Sequence, residues 1–349
     1  MTESDADKPA RRPRYRGTHP RAFGDRYKEH QPERYTDDVA HIVASGKTPA
    51  GTHRPIMVRE ILSVLAPKPG ELAIDCTLGY GGHAREILTA IQPGGRLLGL
   101  DVDPVELPKT EVRLRELGFP PECLTVKRSN FAGLARIAAV EFPDGADLIL
   151  ADLGLSSMQL DDPQRGFTFK SDAPLDMRMN PQHGQSAASL LSKLDESKLA
   201  KLLVENADEP RAKRLARAIV QAQSHEPIQT TLALSDVIRA ALASTDCSAD
   251  DTSLTIRRVF QTLRIAVNDE LGALDTLLRQ IPQCLGSGGR VAILTFHSGE
   301  DRRVKHAFKS GLNAGVYASI ADEVMRPSAE EQHSNPRSSA AKLRYATRG

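Results

Sequence analysis

The residues best suited to chemistry form one short segment, 75–83 (DCTLGYGGH), which combines a carboxylate, a hydroxyl, three glycines and an imidazole. The segment follows a short apolar run at 72–75 and precedes residues 84–91, whose apolar positions recur with helical spacing. A glycine-rich turn between a strand and a helix lets the backbone approach a ligand at the helix N-terminus. The pattern therefore predicts a cofactor-binding turn.

Two further carboxylates close neighbouring apolar runs. Asp101 ends the run 96–101, and Asp152 ends the run 147–152. A carboxylate about twenty residues beyond a glycine-rich turn can accept hydrogen bonds from the ribose hydroxyls of a nucleoside cofactor. Because parallel strands end at one edge of their sheet, we expect both carboxylates at the edge that holds the glycine turn.

Two cofactors remain candidates on these residues. The spacing of Gly79, Gly81 and Ala84 satisfies the dinucleotide fingerprint, which keeps a nicotinamide-dependent oxidoreductase as an alternative. Against it, Gly82 adjoins Gly81, polar residues precede the turn, and no second mononucleotide-binding half follows. S-adenosylmethionine has no pyrophosphate to place on the helix N-terminus, so this turn favours it.

The elements that must position these residues alternate between strands and helices. This order predicts an α/β fold with a doubly wound, mostly parallel sheet. Helices are expected at 57–65, 84–91 and 269–285, with a further one including 112–117. The predicted strands are 72–75, 96–101, 124–127, 147–152, 259–267, 290–296 and, as an antiparallel edge strand, 343–347.

The alternation is interrupted between the fourth and fifth predicted strands. Residues 158–185 are rich in proline, glycine and polar groups without a clear period, and 186–245 has only helical periodicity. We therefore expect a methyltransferase-like core of residues 51–165 and 255–349, and an inserted loop and helical subdomain at 166–254 that recognises the substrate. The proline-rich, charged segment 1–50 is expected to be a disordered extension.

Composition excludes some classes of protein and leaves others open. The four cysteines form no CxxC pair, which argues against a zinc or disulfide framework and predicts no metal. No apolar run is long enough for a membrane span, so a cytoplasmic protein is expected. The net charge of +1 leaves a nucleic-acid partner undecided, and the oligomeric state is equally open.

The segment 152–169 (DLGLSSMQLDDPQRGFTF), continued by 172–179, closely resembles the ribosomal RNA small subunit methyltransferase H family. The resemblance extends over residues 53–349. It implies a class I S-adenosylmethionine-dependent methyltransferase fold, a seven-stranded sheet, and N4-methylation of a cytidine in the decoding region of 16S ribosomal RNA. The other matching blocks are 53–57, 79–83, 99–104, 260–268, 296–302 and 335–339.

The resemblance also implies a set of site residues. The family's contacts with S-adenosylmethionine correspond to Gly81, Gly82, His83, Asp101, Phe131, Asp152 and Gln159. We further expect Asp152, or a carbonyl shortly after it, to accept a hydrogen bond from the reacting amine. The target base must leave its stack, and Phe167 or Phe169 are candidates to stack on it, unless they belong to the core. His297 and Ser298 are expected to line the pocket, with helix capping as the alternative for Ser298.

Small-subunit ribosomal RNA, or the assembled subunit, is the expected partner, and clustered basic residues are candidates for its phosphates. They are Arg211, Lys213, Arg214 and Arg217 in one run, Arg257 with Arg258, and Arg302, Arg303 and Lys305. Each run on its own is more often a solvated helix face, whereas the runs together around one cleft would hold phosphates.

The chain departs from the family's pattern at a few positions. Residues 206–210 (NADEP) stand where the family has an aromatic residue followed by Gly-Glu-Glu, and a His-Pro-Ala is absent near 254–256. Gly299 and Met158 replace an apolar residue and a proline. These changes keep open a second alternative, an inactive ribosome-assembly factor that binds the cofactor.

Overall fold

A computed structural model describes residues 55–156, 159–160 and 162–349. The expected extension at 1–50 lies outside the described residues, as does His53 of the first matching block. The strands form one seven-stranded sheet in the order β3-β2-β1-β4-β5-β7-β6, which confirms the doubly wound α/β prediction. Their bounds are β1 Leu72–Asp75, β2 Arg96–Asp101, β3 Leu124–Arg128, β4 Ala146–Asp152, β5 Leu285–Thr295, β6 Tyr317–Ile320 and β7 Lys342–Arg348.

The chain reverses its direction of travel across the sheet between β1 and β4. From β1 the strands run outward through β2 to β3, and the chain then returns to place β4 on the other side of β1. β1 to β5 are mutually parallel, so their carboxyl ends meet at one edge. In open α/β sheets the reversal point is where ligands bind, outside the carboxyl ends of the strands.

Helices cover both faces of the sheet because successive residues of a strand point to opposite faces and are apolar on both. Leu148 and Leu150 of β4 pack into one core, while Ile149 and Ala151 pack into the other. The helices are α1 Val58–Leu65, α2 Gly82–Ile91, α3 Glu106–Glu116, α4 Leu134–Glu141, α5 Ala187–Leu191, α6 Glu196–Ala207, α7 Ala212–His225, α8 Thr231–Leu242, α9 Ala249–Asn268, α10 Glu270–Cys284, α11 Ser298–Asn313 and α12 Ala329–Ser334. Helices α1, α2 and α3 contribute to the first of these cores, and α4, α10 and α11 to the second.

A third core is formed largely by the predicted insertion and extends beyond its expected end at residue 254, as far as Leu263. Helices α5 to α9 contribute buried apolar residues to it, with no strand among them in the described residues. The expected strand at 259–267 is wrong, because those residues lie in α9. Val259, Phe260 and Leu263 suggested a strand because β-branched, aromatic and branched aliphatic residues are common in strands. Together with Ile256, however, they recur at helical spacing and are buried on one side of the helix. A capping box at Ser248 starts this helix.

The sheet ends differently from the prediction at its far edge. The strand expected at 343–347 is present as β7 and is antiparallel to β5, as predicted. It is not an edge strand, because β6 pairs with its other side. The segment that forms β6 is too short and too polar to stand out in the sequence. Only Tyr317 of its four residues is buried.

The long loop before α5 is tightly organised. Gly166 has a φ of 71°, and Met177, which is fully buried, has a φ of 62°. Phe167 and Phe169 both pack into the third core, and Phe169 meets Phe260 edge to face at 5.3 Å between ring centroids. Phe167 is therefore a buried core residue and Phe169 is half-buried against the same core, which favours the alternative to base stacking that the sequence left open.

None of the helices in the described residues combines the length and the apolar character needed to cross a membrane.

The loop's dependence on Gly166 is testable with a matched glycine. A Cβ at Gly166 would lie 2.3 Å from the Pro174 carbonyl oxygen, whereas one at Gly184, which also has a positive φ, would meet nothing within 4 Å. We expect Gly184→Ala to lower the free energy of unfolding by about 1 kcal/mol, from backbone strain alone. Gly166→Ala should cost a further ~2 kcal/mol from the overlap. Urea unfolding measures both, and equal losses would contradict the steric argument.

Candidate active site

The glycine turn after β1 crosses the carboxyl ends of the neighbouring strands. The Leu78 N–H donates to the Leu100 carbonyl at 2.8 Å, and the Gly79 N–H donates to Asp101 Oδ2 at 2.7 Å. Gly81 caps α2 with a φ of 84°. A Cβ there would lie 2.9 Å from the Thr110 methyl, and one at Gly82 would lie 2.2 Å from Pro55. The absence of a side chain at Gly81 and Gly82 thus lets the turn pack closely against protein neighbours. Gly79 has no such close neighbour, so its side of the turn is open.

Asp101 is held in place by two backbone amides. Its Oδ2 accepts from Gly79, and its Oδ1 accepts from the Asp103 N–H at 2.9 Å. Burial raises the pKa of Asp101, although these N–H groups lower it. Each carboxylate oxygen keeps a lone pair beyond its amide bond, so the pair of oxygens can accept two hydroxyls, as the sequence predicts.

Asp152 lies at the reversal point beside β1. Its N–H donates to Thr77 Oγ1 at 2.7 Å, which joins the ends of β4 and β1. Its Oδ1 accepts from the Gly154 N–H at 3.0 Å, and its Oδ2 faces His83 Nδ1 at 3.6 Å. Burial raises the pKa of Asp152, and the charge of Glu300 raises it further, while His83 and the Gly154 amide lower it.

His83 has a defined tautomer in this arrangement. Its Nε2 lies 2.9 Å from the Ile56 carbonyl oxygen, which can only accept, so Nε2 carries a proton. Nδ1 of a neutral ring then presents a lone pair to Asp152 Oδ2. At 3.6 Å the two atoms are neighbours but lie beyond hydrogen-bond distance, so the imidazole lines the Asp152 side of the reversal point.

Asp75 adds a third carboxylate beneath the turn. It is 1% exposed, and its Oδ1 accepts from the Thr77 N–H at 3.0 Å. Burial raises its pKa to about 6, and the charges of Asp152 and Asp101 contribute in the same direction. Asp75, Asp101 and Asp152 end the parallel strands β1, β2 and β4, so the sequence-predicted carboxylates meet at one edge of the sheet.

Phe131 and Gln159 reach the same edge from other elements. Phe131 follows β3, where the Ser129 N–H donates to the Asp101 carbonyl at 2.9 Å, and its half-buried ring packs on the second core. Gln159 Nε2 donates to Asp103 Oδ2 at 2.9 Å. All seven sequence-predicted cofactor residues thus lie at the carboxyl ends of β2 and β4 or in the segments that follow β1, β3 and β4. Their roles toward a cofactor remain predictions.

Sequence reasoning missed Asp103 and Arg165. Asp103 is 1% exposed and receives both Gln159 and Arg165, whose guanidinium lies 3.0 Å from it. Asp103 belongs to the matching block 99–104, and Arg165 to the block 152–169. Their presence in those blocks was the available signal, but pairing two charges across 62 residues requires the fold.

His297 and Ser298 occupy the turn from β5 into α11. His297, not Ser298, is the N-cap of α11, because its Nδ1 accepts from the Glu300 N–H at 3.4 Å. The capping alternative for Ser298 is therefore wrong. The Ser298 hydroxyl donates to Asp208 Oδ2 at 2.7 Å instead. β5 pairs with β4 through Leu294 opposite Asp152, so this turn lies next to the reversal point.

Glu270, His297 and Glu300 place one possible metal-ligand atom each within 4.8 Å of one another. Both carboxylates already have partners. Glu270 accepts two 2.8 Å bonds from Arg264, and Glu300 Oε2 accepts from the Phe296 N–H at 2.7 Å. A cation would compete with the guanidinium and with the positive end of α11. In the structure these three side chains form an internal charge network with Arg264.

The segment that departs from the family pattern connects α11 with the helical subdomain. Asp208 has a φ of 48° and pairs with Arg302 at 3.1 Å. Glu209 has a fully buried side chain, accepts from the Arg211 N–H at 3.0 Å and lies 3.5 Å from Arg258. The segment therefore has a defined structural role beside the candidate site.

Many of the predicted phosphate contacts are engaged within the protein. Arg217 forms an ion pair with Glu196, and Arg303 forms one with Asp275. Arg214 donates to the Ala241 carbonyl and to Ser244, and Arg257 donates to Ser253. Arg258 and Arg302 face the acidic residues 208–209. Lys213 and Lys305 are exposed and form no ion pair within the described ranges 55–156, 159–160 and 162–349. These two lysines are the freest members of the three runs.

Comparison with known proteins identifies relatives over nearly the whole chain. Residues 50–349 match the model of the MraW methylase family. A protein from Lachnoclostridium phytofermentans named ribosomal RNA small subunit methyltransferase H 1 is 48% identical, over 99% of this chain and 94% of that one. One from Alkaliphilus metalliredigens, ribosomal RNA small subunit methyltransferase H 2, is 46% identical over 99% of both chains. Among solved structures, an rRNA methylase from Streptococcus thermophilus aligns with a TM-score of 0.37 at 12% identity, over 83% of this chain and 93% of that one, which is too weak to add to the assignment.

Asp75 predicts a pH dependence of stability. Because burial raises its pKa from 3.8 to about 6, the folded state holds the proton more tightly than the unfolded chain, and stability is lost as pH rises through that window. We expect Asp75→Asn to be close to wild type below pH 4. Above pH 6 it should be more stable than wild type, by up to about 3 kcal/mol. Urea unfolding across pH 4–7 measures this.

The control is Asp236→Asn, which removes a carboxylate that is 71% exposed. Its difference from wild type should stay constant across the same range. A constant difference for Asp75→Asn as well would show that its charge carries no burial cost.

Proposed function

From the premise that the chain belongs to the MraW methylase family, we propose that it methylates N4 of a cytidine in the decoding region of small-subunit ribosomal RNA. The protein is an S-adenosylmethionine-dependent methyltransferase with the class I fold. The observation that carries the proposal is the half-buried carboxylate of Asp152, which lies at the reversal point and whose backbone N–H is joined to the glycine turn by the 2.7 Å bond to Thr77. We place the activity in the cytoplasm, where ribosomal subunits are found.

The donor set fits an adenosyl cofactor. Asp101 offers two carboxylate oxygens fixed by backbone amides, Gly79 leaves an open side on the turn, and Phe131 follows β3, the strand that pairs with β2. We assign cofactor binding to these elements together with Gly81, Gly82, His83, Asp152 and Gln159. S-adenosylmethionine supplies a methyl group already activated by its sulfonium. The protein must therefore place the amine and accept its proton, rather than provide a nucleophile.

Asp152 Oδ2 is the atom proposed to receive the amine. Its partner Oδ1 is committed to the Gly154 N–H, so Oδ2 keeps the lone pairs that an N–H can reach. The cytosine amine is weakly nucleophilic because its lone pair is delocalised into the ring, and accepting its N–H localises that pair. The N–C bond would form as the S–C bond of the sulfonium breaks, and the amine would then release one proton. A carboxylate whose pKa is raised by burial is a stronger base for that proton.

The product identifies the reaction. Purified protein, S-adenosylmethionine and small ribosomal subunits from cells lacking this activity are incubated, and the digested nucleosides are read by mass spectrometry. N4-methylcytidine is the expected product. A different methylated nucleoside would refute the target, and binding of S-adenosylmethionine without any methylation would favour the inactive assembly factor. Tighter binding of NAD than of S-adenosylmethionine would revive the oxidoreductase.

Asp152→Asn tests the proposed acceptor within that assay. The amide keeps the size of the side chain but loses its charge and basicity, so we expect kcat to fall by about 10²-fold or more. The matched control is Asp147→Asn on the same strand, whose carboxylate accepts the Leu72 N–H at the opposite end of β4 and should leave kcat unchanged. A kcat near wild type for Asp152→Asn would exclude Asp152 as the proton acceptor.

Lys213 and Lys305 are proposed to contact RNA phosphates. Each alanine substitution should weaken binding of small subunits and reduce the slope of log affinity against log salt by about 0.7–0.9. Lys68 is also exposed but precedes β1, at the opposite edge of the sheet, so Lys68→Ala is the control. Filter binding at several salt concentrations measures all three. Slopes that do not change in the Lys213 and Lys305 variants would remove both residues from the RNA interface.

A further inference from the structure

A buried ion pair connects the candidate cofactor edge with the loop of the helical subdomain. Arg165 and Asp103 lie 3.0 Å apart, with side chains 13% and 2% exposed. Arg165 ends the short 3-10 turn Pro163–Arg165, whereas Asp103 follows β2. Ion pairs this well buried are seldom gains in stability over apolar packing, which points to a role in positioning.

Asp103 is tied directly to two of the proposed cofactor residues. Its N–H donates to Asp101 Oδ1 at 2.9 Å, and its Oδ2 accepts from Gln159 Nε2 at 2.9 Å. Its Oδ1 accepts from the Val105 N–H at 2.9 Å, at the start of α3. Burial raises the pKa of Asp103, but Gln159 and the Arg165 charge outweigh it and hold the pKa below its ordinary value. Asp103 is therefore a fixed, charged anchor beside the ribose-binding carboxylate.

The other side of Arg165 holds the loop. Its guanidinium donates to the carbonyls of Arg178 and Met179 at 3.2 and 2.8 Å, and its own carbonyl accepts from the Met177 N–H at 3.0 Å. Asn268, at the end of α9, accepts from the Met179 N–H at 2.7 Å and donates to the Met177 carbonyl at 2.8 Å. Residues 177–179 are thus fixed between the cofactor edge and the helical subdomain.

Arginine is required for this geometry. One planar guanidinium serves a carboxylate through one nitrogen and two carbonyls through the other, in a fixed fork. A lysine would supply one mobile point charge and could not meet all three acceptors with defined directions. The side chain therefore transmits orientation as well as charge.

We propose that Arg165 is a positioning residue that couples occupancy of the cofactor site to the conformation of residues 177–179, the substrate loop. As a result, the cofactor-bound protein binds its RNA more tightly. The inference rests on the proposed function. Coupling of this kind is reciprocal, so bound RNA strengthens cofactor binding by the same factor. Gln159 and Asp101 sense the cofactor, Asp103 joins them, and Arg165 carries the effect to residues 177–179.

The experiment measures the affinity of the full chain for small ribosomal subunits from cells lacking this activity, with and without saturating S-adenosylhomocysteine, which cannot react. Wild type should bind subunits about tenfold more tightly with it. In Arg165→Met that ratio should fall to about 1, while affinity for S-adenosylhomocysteine alone changes no more than about threefold. Arg165→Lys should keep a ratio below about 3, since it restores the charge without the fork.

Arg178→Met is the matched control. It removes a comparably exposed arginine from the same loop, one that pairs with Asp176 at 2.7 Å and keeps the backbone carbonyl that Arg165 contacts. Its ratio should equal that of wild type. If Arg165→Met proves unstable, the double variant Asp103→Asn with Arg165→Met removes both charges and should likewise lose the ratio.

A ratio near 1 in wild type, or one that persists in folded Arg165→Met, would overturn the inference while leaving the methylation result intact. Absence of N4-methylcytidine in the product assay would instead refute the proposed function, and with it the RNA whose binding is coupled. The product assay and the binding ratio therefore distinguish the two failures.

Discussion

The candidate site depends on backbone N–H groups that hold carboxylates together at one edge of the sheet. Asp75, Asp101 and Asp152 end β1, β2 and β4, and each accepts an N–H from the turn that follows its own strand. Like charges buried side by side repel, and without these amides the pKa values would rise further than burial already raises them. Two glycines serve these turns. Gly79 has a positive φ, which favours glycine, and donates its N–H to Asp101, while a Cβ at Gly154 would lie only 2.7 Å from Phe296.

Much of this edge could be predicted from the sequence because its signals are local. A short apolar run, its closing aspartate and the glycine turn lie within a dozen residues. The parallel sheet then brings the ends of β1, β2 and β4 to one edge. The errors occurred where the local signal was shared by two structures. The β-branched and aromatic residues of 259–267 suit a strand, but the helical spacing of Val259, Phe260 and Leu263 is satisfied only by a third core that cannot be inferred from that segment alone. β6 had no signal, since pairing with β7 rather than burial defines it.

Contacts between distant segments were the part of the site that sequence reasoning could not supply. Asp103 and Arg165 are separated by 62 residues, and neither position is unusual by itself. The same holds for the corner at 208–209, where a departure from the family pattern suggested a weakened activity. In the structure Asp208 accepts from Ser298 and Arg302, so the altered residues still join the helical subdomain to α11. A changed motif can preserve a contact when the new side chain supplies its own partner.

Burial of acidic groups also explains why net charge was uninformative about the partner. Asp75, Asp103, Glu209, Glu300 and Asp301 are all at most 9% exposed, whereas Arg344 is the one arginine or lysine so buried among the described residues. More acidic than basic side chains are thus buried, and amides and guanidinium groups compensate their charge inside the protein. The surface that a polyanion meets is more basic than the net charge of +1 implies. Lys213 and Lys305 are exposed on that surface, whereas acidic groups such as Asp75 and Glu209 are enclosed by the fold.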